Sequence, residues 1–243
     1  MIQPNVRASF GSEEARWLVR LLAGEDEERR EEWSERLEER GVDALLDDAE
    51  TRRRILSADG ISLAPPGLVL YVLVRQSLKE VGVESRTLAD YVTALVLEFG
   101  REDRARRISA VDDREYDYLV EIMNDMLEAD GRRAFLLRSH LGNFALWLSG
   151  LFPDHITSRG HRRGGPGIDY YEELGETGYR MAAEDPHARE KSLSQVYREA
   201  ADRFRDVRRG LNQFSDELLF PSPSAPVDRL LRQAHTDFMD GAH

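Results

Sequence analysis

The sequence contains no cysteine, which excludes several kinds of chemistry at once. Without thiols the chain has no disulfide, no thiolate zinc site and no cysteine nucleophile. A cysteine-free chain fits a reducing compartment. The first residues also lack a basic segment followed by an apolar run, so we expect a cytoplasmic protein without a secretory signal.

Long apolar runs are also missing. No stretch approaches the roughly 18 consecutive apolar residues that a membrane-spanning helix needs, so we expect no membrane partner. Hydrophobic residues make up 41% and charged residues 33% of the 243-residue chain. This length suits one large or two small globular domains with a substantial core.

Lysine is scarce, and acidic residues outnumber basic ones. Lys79 and Lys191 are the only lysines among 34 basic residues, and 46 acidic residues give a formal net charge of −12. A surface of that charge repels phosphate, so we expect no broad contact with nucleic acid. A local basic patch can still bind an anion, and arginine does so with two parallel hydrogen bonds.

Apolar residues recur with helical spacing along most of the chain, which predicts an all-α, multi-helix bundle. The predicted helix boundaries coincide with prolines and glycines, namely Pro65, Pro66, Gly100, Gly131 and Pro153. The main core is expected over 66–151 and 169–220. The highly charged residues 1–60 are predicted to form a separate N-terminal helical subdomain, with 61–243 as the main bundle.

The clearest periodicity lies near the C-terminus. Apolar residues there are spaced alternately four and three apart over 26 residues, namely Leu193, Tyr197, Ala200, Phe204, Val207, Leu211, Phe214 and Leu218. This heptad spacing predicts one long helix with an apolar seam. The aromatic residues and alanine in the seam favour a helix of the bundle over a dimeric coiled coil.

Gly175 and Gly178 lie on one side of the predicted helix that begins near Asp169. Glycine inside a helix costs roughly 1 kcal/mol relative to alanine. We therefore expect close packing against another helix to compensate for them.

Motifs of the familiar enzyme classes are absent: the chain has no P-loop, nucleophile elbow or dinucleotide fingerprint. The Glu-x-x-His match at Glu184 and His187 contains a proline, so it presents no helical metal face. Glu121, Asp125 and Glu128 share a helix face of the kind that can hold magnesium, but a solvated face is the favoured interpretation. We expect no metal and no cofactor.

A spacing of Arg-x6-His, here Arg133 and His140, suggests a helical ribonuclease. Arginine is so frequent in this chain that chance accounts for such a match. A ribonuclease is therefore the weakest alternative.

His140 lies in the most apolar predicted helix, where a buried structural histidine is the favoured interpretation. The alternative is a ligand pocket between helices. Its walls would be His140, Asn143 and Trp147, with Tyr170 and Tyr171 closing it from the next helix.

One compact basic segment, SRGHRRGGPG, begins at residue 158. It contains Arg159, His161, Arg162 and Arg163, and its glycines predict a mobile loop over 154–168. Three interpretations are open: a surface connection without a task, a docking segment for an acidic surface such as another copy of this chain, and an anion or nucleic-acid contact. The absence of interleaved aromatic residues disfavours base stacking.

These features predict a non-enzymatic, cytoplasmic helical protein that acts through protein–protein interaction, with either a protein partner or a second copy in a homodimer. The alternative is a helical enzyme or a small-ligand-binding protein that uses the His140 pocket.

Overall fold

The computed structural model describes residues 1–57, 65–101, 104–163 and 165–219. Across these residues every regular element is helical, which confirms the predicted all-α class. The α-helices are α1 (Ser12–Ala23), α2 (Glu27–Arg40), α3 (Val42–Leu46), α4 (Ala49–Ser57), α5 (Pro66–Glu80), α6 (Arg86–Phe99), α7 (Leu119–Glu128), α8 (Gly131–Leu151), α9 (Pro153–Arg163), α10 (Ile168–Glu184), α11 (Pro186–Glu190), α12 (Ser194–Asp202) and α13 (Phe204–Phe214). None of the helices in this part of the chain combines the length and apolarity needed to cross a bilayer.

The core is organised around α8, which is the longest of the described helices. Fourteen of its 21 residues are buried, as expected for a helix that other helices enclose. It packs most extensively against α10 and also contacts α6, α7, α9, α11 and α13. The position of α8 therefore sets the positions of most other helices in the core.

The closest approach of α8 and α10 is at glycines. A Cβ atom on Gly178 would lie 2.7 Å from the Gly142 nitrogen and 2.9 Å from the Arg138 carbonyl oxygen. A Cβ atom on Gly175 would overlap the Phe204 ring. Both glycines thus lie where helices touch, which confirms the close packing predicted for them.

The heptad seam is buried inside the chain, but the helix that carries it is divided in two. The buried seam residues are Leu193, Tyr197, Ala200, Phe204, Val207, Leu211 and Phe214, and the side chain of Leu218 lies outside the described residues. Between α12 and α13, Arg203 leaves the helical conformation with φ −114° and ψ 20°. The division arises because α12 packs against α10 whereas α13 packs against α5 and α8, and one straight seam cannot face both sets of neighbours.

A chain of buried polar contacts fixes α13 to α10 and α8. Arg208 is 1% exposed, and its Nε donates to Glu172 Oε1 at 2.5 Å. Its Nη1 donates to Asn212 Oδ1 at 2.7 Å. Asn212 Nδ2 in turn donates to the carbonyl oxygens of Ser149 and Gly150, at 2.9 Å and 2.7 Å. Each side chain in this series of contacts is needed, because a buried charge that loses its partner is strongly destabilising.

Polar contacts also join the N-terminal helices to α5 and α6. Asp47, which follows α3, accepts a hydrogen bond from Arg75 Nε on α5 at 3.0 Å. Asp90 on α6 accepts the backbone N–H of Arg7 at 3.0 Å. The division of the chain near residue 60 into two domains stays a prediction.

The basic segment is not a loop along most of its length. The loop predicted over 154–168 is wrong for residues 154–163, because these residues belong to α9, which ends at Arg163. Pro153 ends α8, as predicted, but it also occupies the first position of α9, where proline is favoured. Asp154 in the first turn and the buried Ile156 stabilise the helix further, so one internal glycine does not break it.

Replacing Gly178 by alanine is expected to lower the free energy of unfolding by about 1–3 kcal/mol, because the added methyl group meets backbone atoms of α8 that cannot move aside. Gly67→Ala in the first turn of α5 is the matched control. A Cβ atom there would have its nearest contact at 3.5 Å, an ordinary packing distance, so alanine should be neutral or stabilising by up to about 1 kcal/mol. Urea unfolding measures the free energy of unfolding of both variants. Equal values for the two variants would contradict the close approach of α8 and α10 at Gly178.

Candidate functional site

Helix α7 carries apolar side chains on two adjacent faces. One face packs into the core through Leu119 and Ile122. The other face points outward and consists of Val120, Met123 and Leu127, which are 49%, 36% and 85% exposed. Their spacing of three and four residues places them on one side of the helix. α7 therefore presents an apolar stripe that no described part of the chain covers.

Helix α7 begins at Leu119 and turns Met123 outward. The Glu121 carboxylate fixes this start, because it accepts the backbone N–H groups of Asp117 and Tyr118 at 2.8 Å and 3.0 Å. Such a cap satisfies N–H groups that have no partner within the helix.

Ion pairs hold the polar side of α7 in place. Asp125 accepts hydrogen bonds from Arg114 Nη1 at 2.8 Å, from Arg133 Nη2 at 2.7 Å and from the Tyr116 hydroxyl. Burial alone would raise the pKa of Asp125, but the hydrogen bonds from Tyr116 and Arg133 outweigh it and hold this pKa below its usual range. Asp125 is thus a structural anion. Within the described ranges, no group of three or more metal-binding side chains could hold an ion.

His140 is buried among aromatic rings. It is 2% exposed, its ring stacks on Phe144 at a centroid distance of 5.8 Å, and the rings of Phe99 and Tyr116 lie 5.7 Å and 6.1 Å away. Its Nε2 has no hydrogen-bond partner. Burial, with the nearby charge of Arg104, lowers the pKa of His140 to about 3. The imidazole is therefore neutral at physiological pH.

Asn143 belongs to a different cluster, made of tyrosines. Its Oδ1 accepts the hydroxyl of Tyr91 at 2.5 Å and the hydroxyl of Tyr179 at 2.9 Å. The ring of Tyr179 stacks on that of Tyr197 at 5.9 Å, and burial raises the pKa of all three tyrosines. This amide joins α6, α8 and α10 by polar contacts within the core.

The structure brings only some of the predicted pocket residues together. His140 and Trp147 both contact the Phe99 ring, the latter at 5.8 Å. Tyr170 and Tyr171 contact each other at 5.9 Å on α10. The ligand pocket that these residues were predicted to line stays a prediction.

The N-terminal end of α7 carries charged groups of both signs, namely the carboxylates of Asp117 and Glu121 and the guanidinium of Arg159. Arg159 on α9 lies over the exposed ring of Tyr118, with Cζ 4.9 Å from the ring centroid. This cation–π contact joins α9 to the residue that precedes α7. No carboxylate among the described residues pairs with Arg159. The other members of the predicted basic site, His161, Arg162 and Arg163, lie in α9, but their side chains are outside the part that the structure describes.

The C-terminal end of α7 is followed by exposed charged residues of both signs, since Arg132 adjoins Glu128 and Asp130. Glu128 and Asp130 are exposed there, and within the described ranges neither side chain forms an ion pair. We call the outward apolar stripe the α7 surface: Val120, Met123 and Leu127. Sequence reasoning missed this surface, although apolar residues at 119, 120, 122, 123, 126 and 127 exceed what one buried stripe requires.

Acidification tests the burial of His140. Its pKa lies below that of a histidine in the unfolded chain, so between pH 6.5 and pH 3 the unfolded state binds a proton that the folded state does not. Stability is therefore lost as the pH falls, at about 1.4 kcal/mol per pH unit from this group. Denaturant unfolding from pH 7 to pH 4 should show a shallower loss for His140→Phe than for the unaltered chain. His155→Gln, at an exposed histidine of α9, should leave the slope unchanged, and parallel slopes for all three proteins would contradict the burial.

Comparisons with protein-family models, with curated protein sequences and with solved structures find no match to this chain.

Proposed function

We propose that this chain is a cytoplasmic, non-enzymatic helical protein that works through protein–protein interaction, and that the α7 surface is its contact site. The observation that carries the proposal is the exposure of Val120, Met123 and Leu127 on one side of α7. Apolar residues exposed singly are ordinary on a protein surface, whereas a contiguous stripe of them is typical of an interaction site.

The energetic argument rests on the burial that a partner would complete. Fully burying a leucine or methionine side chain contributes about 1.5–3 kcal/mol, and Leu127 is 85% exposed. Burial of the whole stripe would therefore give several kcal/mol of favourable free energy. A partner helix with apolar residues at the same spacing of three and four would cover the stripe and gain this free energy.

Rigid presentation of α7 supports the same proposal. The inward face is packed against α8, the N-terminal end is capped by Glu121, and the polar side is held by Asp125. A surface that is already ordered loses little conformational entropy on binding. The stripe is thus displayed on a fixed helix.

The enzymatic alternatives are less well supported. A general base must come within hydrogen-bond distance of the proton it removes, and His140 is 2% exposed and enclosed by rings. Arg133, its partner in the ribonuclease hypothesis, is held by Asp112 and Asp125, each at 2.7 Å. Both side chains already have structural roles.

Site-specific photo-crosslinking tests the proposed function in the native host. A benzophenone amino acid at position 127 should give a covalent adduct with a protein, because that side chain lies in the contact. The same amino acid at Met181, an exposed methionine of α10, serves as the matched control and should give none. Failure to form an adduct at 127, or equal adducts at both positions, would contradict the proposal.

A further inference from the structure

We propose that the side chains around the Phe99 ring form a binding site for a small organic carboxylate, with Arg104 and His140 as the donors to the carboxylate group. This inference goes beyond the proposed function and does not depend on the α7 surface. It is carried by three side chains that contact one ring, by an arginine whose charge is only partly paired, and by a buried nitrogen without a hydrogen-bond partner.

Phe99 lies at the centre of the site. The Arg104 Cζ atom is 5.8 Å from the centroid of the Phe99 ring. The rings of His140 and Trp147 have their centroids 5.7 Å and 5.8 Å from it. Phe99 and His140 are buried, whereas Arg104 and Trp147 keep part of their surface exposed. The site therefore lies at the edge of the core, and its Arg104 end is accessible from solvent.

The positive charge of Arg104 is only partly paired. Within the described residues its one carboxylate partner is Glu98, whose Oε2 lies 3.5 Å from Arg104 Nε. The other oxygen of Glu98 accepts a closer hydrogen bond from Arg101 Nη1, at 2.8 Å. Arg104 Nη1 donates to the Arg107 carbonyl oxygen at 2.6 Å, and Arg104 Nη2 makes no hydrogen bond in this part of the chain. Two arginines thus share one carboxylate, which leaves one positive charge for an anion.

Burial makes the incomplete pairing of Arg104 unfavourable. Its side chain is 11% exposed, and burial lowers the pKa of Arg104 although Glu98 is nearby. A guanidinium binds a carboxylate through two parallel hydrogen bonds, which are among the strong hydrogen bonds in proteins. A bound carboxylate would therefore replace the water contacts that burial removes from Arg104.

His140 provides the second donor. Its Nε2 is buried and has no hydrogen-bond partner within the described residues, whereas buried polar groups are normally paired. A neutral imidazole can carry its proton on Nε2, and in that form Nε2 donates a hydrogen bond. Burial and the nearby charge of Arg104 lower the pKa of His140, so the two donors are close to each other.

The aromatic rings favour a carboxylate that carries an apolar group. The rings of Tyr116 and Phe144 contact His140. Trp147 continues the aromatic surface to Phe152, with ring centroids 5.5 Å apart. An aryl or alkyl group packs favourably against such rings, whereas inorganic phosphate gains nothing from them. The ligand class is therefore a monocarboxylate with an aromatic or aliphatic body.

Titration of the full-length chain with phenylacetate tests the site. Isothermal titration calorimetry should show saturable binding at one site, with a dissociation constant in the millimolar range or lower. Arg104→Gln should weaken this binding about tenfold or more, because it removes the charged partner of the carboxylate. His140→Phe should weaken it too, since the variant keeps an aromatic ring but loses the Nε2 donor.

Arg101→Gln is the matched control. Arg101 pairs with the same Glu98 carboxylate and its replacement changes the net charge equally, but its side chain is 71% exposed. It should leave the affinity for phenylacetate unchanged. Phenylacetamide, which has the same shape without the charge, should bind the unaltered chain about tenfold more weakly or less. Circular dichroism establishes that the variants are folded, and Arg104→Lys, which keeps the charge without the planar fork, replaces Arg104→Gln if that variant is not.

The outcomes decide the proposal directly. Saturable binding of phenylacetate that is weakened in the Arg104 and His140 variants and kept in Arg101→Gln supports the carboxylate site. Absence of binding to the unaltered chain, equal affinities for phenylacetate and phenylacetamide, or equal losses in the Arg104 and Arg101 variants would overturn it.

Discussion

The contact between the backbones of α8 and α10 is the constraint on which the rest of the core depends. Gly142 and Gly178 let the two helices approach until backbone meets backbone. The ring of Tyr179 then lies directly over Gly142, where a Cβ atom would come within 2.6 Å of it. From this position the Tyr179 hydroxyl donates a hydrogen bond to Asn143 Oδ1 at 2.9 Å. The close contact at the glycines therefore also positions a buried hydrogen bond.

Two groups of buried polar side chains in this core pair with each other. Arg208 satisfies Glu172, and Asn143 satisfies two tyrosines. His140 remains neutral among rings. Such arrangements favour one packing of the helices because a buried polar group that loses its partner is costly. These buried contacts thus stabilise the fold, and exposed apolar side chains lie at the periphery, on α7 among other places.

Local sequence signals predicted a good part of this structure. Prolines and glycines marked the helix ends, and Gly175 and Gly178 indicated a helix contact, because these residues have strong backbone preferences that hold in any fold. The break at Arg203 and the outward orientation of Met123 depend instead on which helices pack alongside. The spacing of apolar residues in the sequence gives no information about those neighbours. The extension of α9 depends on the buried anchor Ile156. The α7 surface was missed for the same reason: an apolar pattern does not tell a buried face from an exposed one.

Hydrogen–deuterium exchange of the chain, alone and in the complex isolated from its host, tests directly whether α7 is the contact surface. Amide exchange over residues 119–128 is expected to be slower in the complex, while exchange in α8 and α10 stays the same. Protection elsewhere in the complex, with exchange over 119–128 unchanged, is the result that would contradict α7 as the contact.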